Sequence, residues 1–249
     1  MKETEKVREV KLEGKSHVIR EVDFSNNLSN IGKFFCETKR ETCMFYNEND
    51  GVYIYQSHVD PNVGYRIYKE FADYGFNGYN DDKLIAKLNE KKHLFPEIKI
   101  PTGIITHNGN IIGQEIVLFL NHLTINDYSK KFLDTLPTDL YIQIINVIKK
   151  LYDCGIGYYD GHAKNFMVDR TTKHVEIIDF QWSMMSFDNI YECENWKIFD
   201  RMNSLINQCN ENFRVNDIIP YAKIDNFSQA YEYVEESRHK LLKTNRYSK

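Results

Sequence analysis

The chain has little with which to cross a membrane, build a disulfide framework or grip nucleic acid by charge. Its longest apolar run, Ile116 to Leu120, is far short of the roughly 20 residues a spanning helix needs, so no integral membrane segment is expected. The five cysteines (Cys36, Cys43, Cys154, Cys193 and Cys209) are odd in number and include no CxxC pair. That argues against a disulfide scaffold and for a reducing compartment, hence a cytoplasmic protein. Met1 to Lys15 is charged throughout and carries no apolar signal-peptide core. Export as an effector by a route that leaves no such signal is compatible with the same sequence. A net charge of −4 offers no basic footprint, so no nucleic-acid partner is expected. Gly14-Lys15-Ser16 has the ending of a P-loop, but Glu9 stands where that loop needs glycine. The eight histidines contain no H-x-x-x-H pair, and no zinc site is expected.

What is present suits a globular chain. Its 249 residues are 42% apolar and 27% charged, enough for one domain of two lobes with a real core. The first half reads as strands: Val7 to Leu12 and Val18 to Phe24 around Glu13-Gly14-Lys15, then Thr42 to Tyr46, Val52 to His58 and Tyr65 to Phe71. A helix follows, capped by Asn80, Asp81 or Asp82, with Leu84, Ile85 and Leu88 as its apolar stripe. Two further strands fit Gly103 to Thr106 and Gln114 to Leu120. The second half turns helical. Asn126 to Leu133 is short; Thr138 to Tyr152 is longer, with Leu140, Ile144, Ile145, Ile148, Leu151 and Tyr152 on one face. Glu194 to Cys209 and Ser228 to Leu242 also read as helices. The expected organisation is an α+β chain with a strand-rich lobe over 1–120 and a mainly helical lobe over 121–249. A cleft between two such lobes is a natural ligand site.

One segment carries chemistry. Asp160 is followed five residues later by Asn165. Then come an apolar strand (Phe166 to Asp169), a turn, and a second strand, Val175 to Ile178, ending in Asp179-Phe180. Phosphoryl transfer gives this pattern a reason. Its transition state is stabilised by positioning and charge neutralisation, so a protein must hold Mg²⁺ against a triphosphate and aim a hydroxyl. Asp160 would orient the hydroxyl and accept its proton. Asn165 and Asp179 would supply the hard oxygen ligands that Mg²⁺ prefers.

These residues resemble the protein-kinase-like superfamily, whose catalytic loop and metal motif read D-x-x-x-x-N followed by apolar-D-F. His162, two residues after Asp160, is similar to the H-x-D-x-H-x-x-N form of aminoglycoside phosphotransferases. Lys164 sits where tyrosine kinases carry an Arg, and could steady the γ-phosphate. The resemblance implies a bilobal fold with an antiparallel N-lobe sheet plus one helix and a mainly helical C-lobe. It makes Lys69 the strand-three lysine on the α- and β-phosphates, Glu90 its helical partner, Asn47 to Gly51 the phosphate loop with Gly51 its glycine, and Gln114 to Leu120 the fifth strand leading to the hinge. ATP and Mg²⁺ are then the cofactors. The pattern departs in places: Tyr158 and Tyr159 replace His-Arg, Gln181 replaces the last Gly of Asp-Phe-Gly, no Ala-Pro-Glu follows, and the phosphate loop offers a single glycine.

Plainer readings stand beside these. Lys69 and Lys164 also fit solvated lysines, Glu90 a surface helix glutamate, and His162 a hydrogen-bonding loop residue. Three functions follow. With 69 residues after Phe180, the chain resembles minimal kinases of the RIO type and of bacterial effectors, so an atypical Ser/Thr protein kinase leads. A kinase of small molecules or lipid-linked sugars, with a hydroxyl-bearing substrate, is the alternative that His162 supports. A pseudokinase binding module is the third.

Overall fold

The computed structural model describes residues 4–24, 43–47, 52–57, 60–68, 81–132, 134–158, 160–180 and 195–244. The chain divides into two compact units, Met1–His93 with Ile100–Leu120, and Leu94–Lys99 with Asn121–Lys249. Among the described residues, no helix is long and apolar enough to cross a membrane.

Among the described residues, the first unit is a seven-stranded sheet with one α-helix against it. Its strands are β1 (Thr4–Leu12), β2 (Lys15–Asp23), β3 (Cys43–Asn47), β4 (Val52–Gln56), β5 (Val63–Tyr68), β6 (Gly103–His107) and β7 (Asn110–Val117). They lie in the order β1-β2-β6-β7-β5-β4-β3. Two hairpins close through two-residue turns with both φ positive, Glu13-Gly14 (50° and 79°) and Asn108-Gly109 (50° and 80°). That twist matches the twist of the strands they join.

The expectation of an antiparallel sheet needs one correction. β2 pairs with β6 in parallel, Arg20 opposite Gly103 and Asp23 opposite Thr106, and the sheet is mixed. A parallel pair needs a crossover, and everything from β3 to the helix lies between β2 and β6 in the chain. The remaining five neighbours pair antiparallel.

The helix α1 (Asp81–Lys91) carries Asp81 and Asp82 in its first turn and Lys91 in its last, matching the helix dipole. Alternation along the strands feeds two cores. Ile104 and Ile111 join Val10, Ile19 and, from α1, Ile85 and Ala86 on one face. Ile105 and Ile112 join Val22, Phe24, Tyr55, Tyr65 and Ile67 on the other. Lys87, buried on α1, is neutralised by Glu13 of the first hairpin at 3.1 Å.

Gly113 fixes how closely β5 and β7 approach. A Cβ there would stand 2.0 Å from the Arg66 carbonyl oxygen, a backbone atom that cannot step aside. Gly113→Ala is therefore expected to destabilise the unit by about 2–3 kcal/mol, read as a lowered denaturation midpoint with an unchanged m-value.

Asp81 gives this unit a pH signature. Only 2% of it is exposed, and Tyr68 donates its hydroxyl to Oδ2. Burial pushes the carboxyl up to about 6, against the opposing pull of the Tyr68 bond, the nearby Gln114 amide and the Arg66 charge. An acid raised in the folded state makes folding most favourable when protonated. This contribution is whole below about pH 4 and is lost as pH rises through 6. Asp81→Asn keeps an acceptor for Tyr68 and removes the buried charge. It should raise stability at pH 7.5 by up to about 3 kcal/mol and leave it unchanged near pH 4. Thermal unfolding of both proteins at the two pH values checks this.

The second unit holds a three-stranded sheet, β10-β9-β8, made from β8 (His122–Thr124), β9 (Phe166–Asp169) and β10 (Val175–Ile177), and four described helices: α2 (Ile125–Lys131), α3 (Pro137–Asp153), α4 (Asn195–Asn212) and α5 (Phe227–Leu242). Thr124 caps α2 by accepting from Asp127 N, and Asn226 caps α5 by accepting from Gln229 N. Proline starts α3 at its first turn. Leu140, Tyr141, Ile144, Ile145, Ile148 and Leu151 form its buried stripe. On α4, Asn203 and Asn207 each clamp a backbone residue of the following segment, donating to the Ile224 and Ala222 carbonyls and accepting from the same residues' N–H groups. Those paired bonds anchor the helix on which the candidate site leans.

Candidate catalytic loop and metal-ligand hairpin

The site begins where α3 ends. Gly155 takes φ 73°. Its N–H bonds the Tyr152 carbonyl at 2.8 Å, and Ile156 N–H bonds the Leu151 carbonyl at 2.9 Å. This is a Schellman motif, which needs a residue tolerant of the left-handed region at its centre. It satisfies the last carbonyls of α3 and sends the chain into the loop that carries Asp160.

The loop is then fixed by its own backbone. His162 N bonds Asp160 O, and Asn165 N bonds His162 O, both at 2.9 Å. Asn165 is 6% exposed and gives its amide hydrogens to Asp160, to the backbone oxygen at 3.1 Å and to Oδ2 at 2.7 Å. With its donors so directed, the Asn165 side chain keeps its carbonyl oxygen for another partner. Lys164 N donates to His162 Nδ1 at 3.3 Å. A neutral His162 then carries its proton on Nε2, which lies 3.6 Å from Asp160 Oδ1.

The hairpin of β9 and β10 returns the chain to the same point. Val175 pairs with Val168 and Ile177 with Phe166. Asp169 turns the corner: its Oδ1 accepts from the N–H groups of Thr171 and Thr172, each at 2.7 Å. Those bonds, Thr172's first, hold its carboxyl down at about 2. Ile178 N then bonds Asn165 O at 2.9 Å, which sets Asp179 next to Asn165. Asp179 is half-buried and takes φ 60°. A non-glycine residue held in the left-handed region costs of order 1–3 kcal/mol, and such strain collects at functional sites.

Tyr158 ties the two halves together. It is buried, donates its hydroxyl to Ile178 O at 2.8 Å, and sets its ring edge-on to Phe166 and Phe180. The residue that departs from the kinase pattern thus braces the carbonyl just before Asp179.

Asp160, His162, Lys164, Asn165 and Asp179 accordingly share one loop and hairpin of the second unit. Glu90 is in the first unit, exposed, with Lys15 Nζ at 3.3 Å from its carboxylate. Lys69, Gly51 and Gln181 lie outside the described residues.

Three supports were not read from the sequence. Arg201 of α4 packs against Gly161 so closely that a Cβ there would meet the Arg201 Cβ at 3.3 Å. Gln208 accepts from Ala163 N at 3.2 Å. Glu211 and Asn212, also on α4, line a depression beside His162 and Lys164. All three come from a helix more than thirty residues downstream of the loop, and no local spacing announces such contacts.

The donor chemistry fits a hard divalent cation. The Asn165 amide oxygen and the Asp179 carboxylate are oxygen ligands, and Mg²⁺ takes few protein ligands when phosphate oxygens complete its shell. Among the described residues, no cluster of three or more His, Cys, Asp or Glu side chains is arranged to hold a metal unaided. No protein-family model matches this chain, and no curated protein sequence matches it.

Proposed function

We propose that the chain is an ATP- and Mg²⁺-dependent phosphotransferase that passes the γ-phosphoryl group to a hydroxyl. One observation carries the reading. Asn165 is hydrogen-bonded to the backbone and carboxylate of Asp160 and, through its own carbonyl, to the N–H of Ile178, the residue before a left-handed Asp179, all within a single loop and hairpin. Strand order lends support: β5, named strand three by the resemblance, lies beside β7, named strand five, and α1 falls between β5 and β6 in the chain.

In this reading Asp160 accepts the hydroxyl proton as the hydroxyl oxygen bonds to the γ-phosphorus. The bond from that phosphorus to the β,γ-bridging oxygen breaks, and ADP leaves. Asn165 holds Asp160 Oδ2, which keeps Oδ1 and its lone pairs for the substrate. His162, with its proton on Nε2, faces Oδ1 and stabilises its charge. Asn165 and Asp179 would hold Mg²⁺, which neutralises the phosphate oxygens when bound. Lys164, exposed beside them, would meet a phosphate oxygen in this reading.

A Ser/Thr hydroxyl of a protein is the acceptor that the sequence resemblance favours. A small hydroxyl-bearing molecule is the acceptor that the depression beside the loop favours. The test is incubation with γ-labelled ATP and Mg²⁺, with Asp160→Ala and Asp179→Ala as controls. Label on protein, or on an added small molecule, lost in both variants supports the reading. Nucleotide that raises the melting temperature without any transfer would instead identify a binding module.

A further inference from the structure

We propose that the depression beside the catalytic loop is the acceptor site, and that it takes a small polyhydroxylated molecule, a sugar or other polyol. The inference rests on the phosphotransfer reading and narrows it. The depression lies wholly within the second unit and has a volume of about 360 Å³. His162 and Lys164 line it from the loop, Asn126 from the first turn of α2, and Glu211 and Asn212 from the last turn of α4.

Position comes first. His162 forms part of the wall, and its Nε2 is 3.6 Å from Asp160 Oδ1. One imidazole separates the depression from the proposed base, so a molecule seated there can bring a hydroxyl to Asp160 past the His162 edge.

Size comes second. Pockets for small ligands start at roughly 300 Å³, and this one sits near that lower bound. It suits a molecule of one or two rings.

The lining decides the class. The Asn126 and Asn212 carboxamides each offer donors and an acceptor, Glu211 offers two acceptors and Lys164 three donors. Adjacent hydroxyls both donate and accept, so this mixture can pair with them one group at a time. Ala163 and the side-chain stems supply the apolar part of the lining, on which the C–H face of a sugar ring can rest. Lys164 and Glu211 place one charge of each sign in the lining, so it selects for no net charge and admits a neutral polyol.

The test pairs binding with turnover, using the full chain. Probes are myo-inositol, D-ribose, D-glucose, D-glucosamine and glycerol. Saturation-transfer NMR measures each without nucleotide, and ADP release measures each with ATP and Mg²⁺. The variants are Glu211→Leu and Asn212→Leu, with Glu211→Gln as the mild version; Glu211 is exposed and Asn212 partly buried. At least one polyol is expected to bind saturably and to raise ADP release tenfold or more. Glu211→Leu should weaken that binding at least tenfold and Glu211→Gln less, while the melting-temperature shift caused by ATP and Mg²⁺ is retained. Absence of saturable polyol binding overturns the proposal, and labelling of a Ser/Thr peptide in the same preparation would show the phosphotransfer reading surviving it. Polyol binding with no polyol-dependent ADP release overturns the acceptor role as well, and the phosphotransfer reading falls with it only if Ser/Thr peptides are also left unlabelled.

Discussion

Asp160→Asn is expected to lower phosphotransfer by about 10²–10⁴-fold, the range ascribed to a positioned general base, while ATP and Mg²⁺ still raise the melting temperature. The choice of asparagine matters. Asn165 donates to Asp160 Oδ2 at 2.7 Å and to its backbone oxygen at 3.1 Å. An asparagine amide oxygen can accept the first of these bonds, and the second is main chain. The loop therefore keeps its shape and loses only the group that takes the proton. Alanine would also free the Asn165 amide, mixing loss of chemistry with loss of a proposed metal ligand. The check is single-turnover transfer beside a thermal scan. If Asp160→Asn transfers phosphate at the wild-type rate, Asp160 is a structural loop residue.

Asp179→Gly should separate function from stability in opposite directions. Glycine adopts φ 60° freely, whereas aspartate pays for it. Relief of that strain is offset in part by the greater freedom glycine gives the unfolded chain, so stability should be unchanged or raised by up to about 1 kcal/mol. Transfer should fall by about 10³-fold, because a proposed ligand of the Mg²⁺ that neutralises the transferring phosphate is removed. Asp179→Asn provides the comparison: it tolerates the same backbone and keeps one oxygen ligand, so it should be as stable and less impaired. A residue that merely ended a strand would give a different pattern, with little change in activity from either substitution.

Helix α3 shows what a sequence discloses readily. Leu140, Ile144, Ile145, Ile148 and Leu151 recur at helical spacing, and packing buries that face. Only the edge of the stripe shifts, Tyr141 being fully buried and Tyr152 partly exposed against Phe227. Asp160, Asn165 and Asp179 were legible for a related reason. They lie within twenty residues and are joined by two short apolar strands, so the hairpin that gathers them is local. Asp81 was not legible. As a polar residue before an apolar stripe it reads as a cap, yet the fold sets it against Tyr68 under the sheet. The parallel pairing of β2 with β6 and the support from Arg201, Gln208 and Glu211 were hidden in the same way. Each depends on segments distant in the chain, and alternating apolar residues look alike in parallel and antiparallel strands.

The central claim is that the Asp160 loop and the Asp179 hairpin form one centre for phosphoryl transfer to a hydroxyl. Phosphorus NMR of the full chain with ATP, Mg²⁺ and the polyol probes tests it most directly. The account predicts that the γ-phosphorus resonance of ATP declines as ADP and a phosphomonoester signal grow, and that Asp160→Asn slows both at least a hundredfold. A spectrum in which ATP persists in the presence of polyols and of Ser/Thr peptides alike, or one in which wild type and Asp160→Asn consume ATP at equal rates, would contradict it.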